Sequence, residues 1–143
     1  MCNCNDRRDC RDHRDAIRDI NEGVCDIREG ARDILEGLDD VLDCNRREGL
    51  RDICEGIRDV NEGIRDICGA LRDIRRTCEN REAIRDIAEG LCDCRQGARI
   101  CCEGLNDLRR GGCEGIRDIR RGVRLIEEGL QDICEGLKDL ERR

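Results

Sequence analysis

Apolar residues recur along most of the chain at alternating intervals of three and four, the spacing of one buried helix face. In the stretch from Gly56 to Gly69, GIRDVNEGIRDICG, that face is Ile57, Val60, Ile64 and Ile67, and a glycine stands at Gly56 and Gly63, one repeat apart. Written as a heptad the unit is I-R-D-I-x-E-G, with apolar residues at a and d, Arg at b, Asp at c, Glu at f and Gly at g. Four segments hold it. Ile17, Val24, Ala31 and Leu38 occupy a in the first, with Ile20, Ile27, Ile34 and Val41 at d. Leu50, Ile57, Ile64 and Leu71 follow at a, with Ile53, Val60, Ile67 and Ile74 at d. The third has Ile84, Leu91, Ala98 and Leu105 at a and Ile87, Cys94, Cys101 and Leu108 at d; the fourth has Ile116, Val123, Leu130 and Leu137 over Ile119, Ile126, Ile133 and Leu140.

The register breaks at CNRREG, TCEN and RGGCEG. The pattern therefore predicts four helices of about 30 residues, roughly 45 Å each, joined by short turns. Short turns make successive helices antiparallel, so the expected fold is an all-α antiparallel four-helix bundle. Strict sevens imply a left-handed supercoil. Residues 1–9 read as a cysteine-bearing N-terminal tail and 10–143 as a single bundle domain, with Asn5 or Asp6 available to cap an early start of the first helix.

Glycine at g is the anomaly. All of the 16 glycines except Gly69 and Gly112 stand there, and inside a helix each is unfavourable by roughly 0.8–1 kcal/mol relative to alanine. In an antiparallel pair g faces g, where glycine lets two backbones approach closely. Matching Gly30 to Gly63, Gly37 to Gly56, Gly23 to Ala70 and Cys44 to Gly49 centres the first hairpin in Asn45–Glu48. Matching Gly90 to Gly136, Gly97 to Gly129, Gly104 to Gly122 and Gly111 to Gly115 centres the second on Cys113. Both centres fall in expected turns, so hairpins 1/2 and 3/4 are expected to pack along their glycine flanks.

The opposite flank, e with neighbouring b, is then left for contact between hairpins, and cysteines gather there. If Cys25 is level with Cys134 and Cys68 with Cys92, both glycine registers are satisfied at once, an agreement that the glycines do not themselves force, which makes those two the leading expected disulfides. Cys44 with Cys113 fits at the far turns. Cys54 with Cys102 is staggered by roughly 6 Å, and Cys10 with Cys78 is a further candidate near the other end. Cys2 and Cys4, in the tail, are free for intermolecular links. Cys94 and Cys101 point inward as small core residues, or as thiolate ligands if the chain holds metal.

Composition narrows the function classes. Charged residues make up 44% and aromatics 0% of the 143 residues, with net charge −7. Arg is interleaved with Asp and Glu, so there is no basic stripe for phosphates and no aromatic platform for bases. Nucleic acid is not an expected partner. No apolar run approaches a membrane span or a signal-peptide core, so the expectation is a soluble protein made in the cytosol and working in an oxidising or extracellular setting. With no Ser or Tyr and a single His, His13, the usual acid–base and nucleophile sets are nearly absent, leaving only a cysteine nucleophile, for which the sequence offers no partnered site. An enzyme and a small-molecule substrate are not expected, and no resident cofactor is.

The cysteine-bearing MCNC start, the low-complexity repeat and the 14 cysteines resemble the cysteine-rich coat and exosporium proteins of spore-forming bacteria, which are crosslinked on the spore surface. That resemblance implies a structural, self-associating protein, a disulfide-stapled rod that polymerises with itself into a filament or protective layer. The alternative is a cytosolic thiol-rich store for Cu(I) or Zn(II). Bacterial copper-storage proteins are similar in being cysteine-rich four-helix bundles, but their thiols line the interior, whereas here only Cys94 and Cys101 hold core d positions.

Overall fold

The computed structural model describes residues 4–76 and 78–142, with side chains described from residue 12 onward. It is all-α: α1 (Cys4–Leu42), α2 (Arg46–Arg75), α3 (Arg81–Arg109) and α4 (Glu114–Glu141), with no strand among the described residues. None of these helices is long and apolar enough to cross a membrane. α1, at 39 residues, starts at Cys4, within the segment expected to be a tail. The side chains of Cys4 and Cys10, and the whole of Cys2, lie outside the described residues.

Local chemistry sets the helix ends. α1 stops where Cys44 turns left-handed at φ 70°, which lets the Asn45 N–H reach back to the Asp40 carbonyl at 2.8 Å, a closure that ties off the last carbonyls. Gly111 plays that part after α3 at φ 89°, and the Gly112 N–H bonds the Asp107 carbonyl at 2.9 Å. The Asn80 side chain caps α3 by accepting the Ala83 N–H at 3.1 Å. α4 has no cap from its own Cys113. Instead Asp107, reaching over from the end of α3, accepts the Gly115 N–H at 2.7 Å.

The core runs the length of the molecule. Ile20, Ile27 and Ile34 of α1, Ile53, Val60 and Ile67 of α2, Ile87, Cys94 and Cys101 of α3, and Ile119, Ile126 and Ile133 of α4 are completely buried, and no polar or charged residue is buried among the described residues. Val41, Leu50 and Ile116, near helix ends, are only partly buried, as is Ile17 within α1. α1 packs intimately on α2 and α3 on α4, whereas α2 with α3 and α1 with α4 meet more sparsely. The molecule is therefore two tight hairpins laid face to face.

Glycine makes the hairpins tight, though not with the expected partners. A Cβ built on Gly30 would fall 2.6 Å from the Gly56 carbonyl oxygen, and one on Gly56 would fall 2.6 Å from that of Gly30. Gly37 meets Gly49 and Gly23 meets Gly63 in the same way; in the second hairpin Gly90 meets Gly129, Gly97 meets Gly122, Gly104 meets Gly115 and Gly136 meets Ala83. These partners, falling in residue number as their mates rise, make each hairpin antiparallel. Every match differs by one heptad from the Gly30·Gly63, Gly37·Gly56, Gly97·Gly129 and Gly104·Gly122 matches expected from sequence.

The cause is the turns. A seven-residue repeat fits itself at every seven-residue shift, so turn length alone selects the register. Arg46, Arg47 and Glu48, expected in the turn, already form the first turn of α2, which moves the centre of the first hairpin back to Asp43. The second moves likewise from Cys113 to Arg109–Arg110. The observed register places Ala16 level with Ala70, both buried, so each helix of the first hairpin keeps a small residue at g out to its open end.

Candidate functional site

The thiols are the chain's one chemically distinctive group, and the fold sorts them into three environments. Cys94 and Cys101 are buried, Cys54, Cys68, Cys78 and Cys134 are half-buried, and Cys25, Cys44, Cys92, Cys102 and Cys113 are exposed. All of these stand as free thiols in this structure, so none of the expected pairings of Cys25 with Cys134, Cys68 with Cys92, Cys44 with Cys113 or Cys54 with Cys102 is formed. The Cys10–Cys78 pairing, and Cys2 and Cys4, involve side chains outside the described residues.

The seams between hairpins also differ from expectation, because e meets e rather than b. On the α1–α4 side Arg28 donates from Nη2 to the Sγ of Cys134 at 3.2 Å, and Asn21 donates to the Glu141 carboxylate at 3.3 Å. On the α2–α3 side Arg95 donates from Nη2 to the Sγ of Cys68 at 2.7 Å. All six residues stand at e. Cys25 and Cys92, at b, are consequently left on the surface. With both hairpins moved by a heptad, the level match of Cys25 with Cys134 and of Cys68 with Cys92 no longer agrees with the glycine register. Arg28 and Arg95 carried no signal of their own in the sequence, since arginine recurs through all four segments; only the packing of hairpin on hairpin singles them out. Toward the turns, Arg46 of α2 bonds the Leu108 carbonyl of α3, adding a further link across that seam.

Cys94 and Cys101 are core residues in every physical respect. Each lies over a glycine of α4: a Cβ on Gly129 would fall 2.7 Å from the Sγ of Cys94, and one on Gly122 would fall 2.6 Å from the Sγ of Cys101. Their S–H groups donate to the carbonyls of Ile126 at 3.5 Å and Ile119 at 3.6 Å. Burial, followed by the nearby Asp93 and Asp132, pushes the Cys94 thiol up to about 12. Burial, followed by Cys102, pushes Cys101 up to about 12 as well. A protonated, hydrogen-bonded thiol is a poor metal ligand. The two also stand one heptad apart on α3, roughly 10 Å along the axis, too far to share an ion. No group of three or more His, Cys, Asp or Glu able to hold a metal occurs among the described residues, so the Cu(I) or Zn(II) alternative finds no ligand set there.

The outer edge of the glycine contact carries acid. The Asp33 carboxyl is raised above its ordinary value, first by burial and then by Asp59, Glu29, Glu36 and Asp52. Asp59 and Asp52 belong to α2, so c-position aspartates confront one another across the close-packed pair. Opposing ion pairs are sparse and weak: Arg18–Asp15, Arg51–Glu48, Arg121–Asp118 and Arg142–Asp139 span 3.6–4.0 Å on exposed surface, each within one helix.

Comparison with protein-family models, with curated proteins and with solved structures finds no match to this chain.

Proposed function

We propose that this protein is a structural, self-assembling rod, a left-handed supercoiled bundle whose surface thiols link copies into a filament or protective layer. The observation that carries this reading is the distribution of thiols over a rod with a dry apolar interior. Exposed Cys44 and Cys113 sit in the two turns at one end of the bundle; α1 begins at the other end with Cys4, and Cys2 precedes it in the sequence. Thiols at both ends of a rod suit head-to-tail linkage, which grows into a fibre unless the rotation closes a ring. An interior with no buried polar side chain among the described residues offers no seat for a substrate, which weighs against a catalytic or carrier role. The bridges themselves need an oxidising setting, such as a spore surface or another extracellular structure, and bridges closed within one chain typically add about 2–4 kcal/mol each.

The test compares oxidised wild type with a Cys2→Ala, Cys4→Ala double variant by non-reducing gel and electron microscopy, with metal analysis on the same samples. Disulfide-linked multimers in the wild type that collapse in the double variant are the expected result. A monodisperse wild-type monomer carrying several equivalents of copper or zinc would overturn the assignment and install the metal-storage alternative.

A further inference from the structure

The two hairpins are copies of one unit. Residues 17–37 of α1 read IRDINEGVCDIREGARDILEG and residues 84–104 of α3 read IRDIAEGLCDCRQGARICCEG; residues 49–68 of α2 read GLRDICEGIRDVNEGIRDIC and residues 115–134 of α4 read GIRDIRRGVRLIEEGLQDIC. The correspondence extends to three dimensions. Gly23, Gly30 and Gly37 of α1 match Gly90, Gly97 and Gly104 of α3, and each meets the equivalent glycine of its own hairpin partner. Ala16 and Ala83, equivalent again, are both buried.

One contact between the hairpins obeys the same correspondence, whereas the Asn21–Glu141 and Arg46–Leu108 contacts have no counterpart in the other half. Arg28 matches Arg95 and Cys134 matches Cys68, so the Arg28–Cys134 contact and the Arg95–Cys68 contact are one contact made twice, with the roles of the halves exchanged. This reciprocity defines a two-fold, isologous interface, here closed within a single chain. Nothing in it reserves the α3–α4 face for the α1–α2 hairpin of the same molecule. The core between them has no buried polar group to fix a unique partner, and the seams are sparse beside the packing within each hairpin.

We propose that this face is also a docking surface for a second copy of the chain: the α1–α2 hairpin of one molecule seats on the α3–α4 hairpin of another through the contacts that otherwise join its own two halves. Closed and exchanged forms then contain the same seams. They differ in the tether from the end of α2 at Arg75 to the start of α3 at Arg81, which gives the intramolecular partner an effective concentration on the order of mM. Exchange grows with protein concentration and whenever that tether is made too short to let the hairpins fold back. Two molecules exchanging reciprocally close a dimer, while successive exchange makes a chain of rods. The inference deepens the self-assembly reading by naming a non-covalent route to it.

Two variants of the full chain test it under reducing conditions, so that disulfides play no part: one lacking Thr77, Cys78 and Glu79, which keeps the Asn80 cap of α3, and one with six Gly/Ser residues inserted after Cys78. Each is refolded as an equal mixture of isotope-labelled and unlabelled protein and read by native mass spectrometry and circular dichroism. The shortened chain is expected to keep its helicity and double its mass, or reach higher multiples, with mixed-label species present; the lengthened chain is expected to stay monomeric. A shortened chain that remains a folded monomer overturns the proposal. So does an equal yield of dimer from both variants, since association through any other surface is blind to the tether. If the shortened chain does not fold, wild type and the lengthened chain decide: mixed-label dimers that form from wild type on refolding at high concentration and fall in yield in the lengthened chain support exchange, while equal yields from the two, or no dimer at any concentration, overturn it. Loss of disulfide-linked multimers in the Cys2→Ala, Cys4→Ala variant would bear on the covalent reading alone and leave this result standing.

Discussion

At the scale of single residues, what separates the cysteines is their surroundings rather than their number. Cys94 and Cys101 are held as neutral thiols to about 12, against an ordinary value of 9.0. The sign follows directly. Between those values an unfolded chain has released both protons while the folded chain keeps them, so this contribution to stability is complete below pH 9 and is lost as pH rises toward 12. The slope inside that window is at most about 1.4 kcal/mol per pH unit for each thiol. Val60 fills the equivalent place over Gly30, so a Cys94→Val, Cys101→Val variant should preserve the packing while removing the titration. Its melting temperature, measured with reductant present, should decline less between pH 9 and 12 than that of wild type. The same two residues should resist alkylation in the folded protein while exposed Cys25, Cys44, Cys92, Cys102 and Cys113 react. Their inward orientation was legible in the sequence, because a d position tells where a side chain points. The arginines facing Cys68 and Cys134 were not legible, because an e position acquires a partner only once the second hairpin is in place.

At the scale of the element, one substitution carries opposite signs at two glycines. Gly69 lies on the exposed side of α2 with nothing within 4 Å of a built Cβ, so Gly69→Ala should stabilise the protein by about 0.8–1 kcal/mol through helix propensity alone. At Gly30 the new methyl would lie 2.6 Å from the Gly56 carbonyl oxygen and 2.8 Å from Val60 Cγ2. The first of these atoms is backbone, and it moves only if α1 and α2 separate. Overpacking of this kind typically costs about 1–3 kcal/mol, which outweighs the propensity gain, so Gly30→Ala should destabilise. Denaturant titration of both variants checks the pair, and stabilisation by Gly30→Ala would contradict the packing account. The helices, their seam and their glycine flanks could all be read from the heptads, since each depends on spacing within one segment. The partner of each glycine could not, because it depends on how many residues a turn consumes, and CNRREG lent four residues, Arg46, Arg47, Glu48 and Gly49, to α2.

At the scale of the molecule, charge is the term the apolar core works against. The chain carries 35 acidic and 28 basic residues, for a net charge of −7, and its aspartates at c are brought together by the same close approach that the glycines permit. Asp33 registers the consequence, with a carboxyl raised by burial and by the acids of α1 and α2 around it. A group whose folded value lies above its unfolded one adds stability below the unfolded value, 3.8 here, and that contribution is lost as pH rises through the folded one. At neutral pH the ionised Asp33 is therefore a liability. Asp33→Asn removes the charge and keeps the shape, so it should raise the melting temperature at pH 7 and have little effect once the pH falls below the carboxylate range. Added salt should act in the same direction on wild type, because screening weakens repulsion between partly exposed charges, and should shrink the difference between wild type and Asp33→Asn. Melting curves at two pH values and two salt concentrations check all three comparisons. A wild type destabilised by salt at pH 7 would mean that the exposed i,i+3 ion pairs outweigh the acidic edge, and would contradict the view that like-charge repulsion dominates the surface electrostatics.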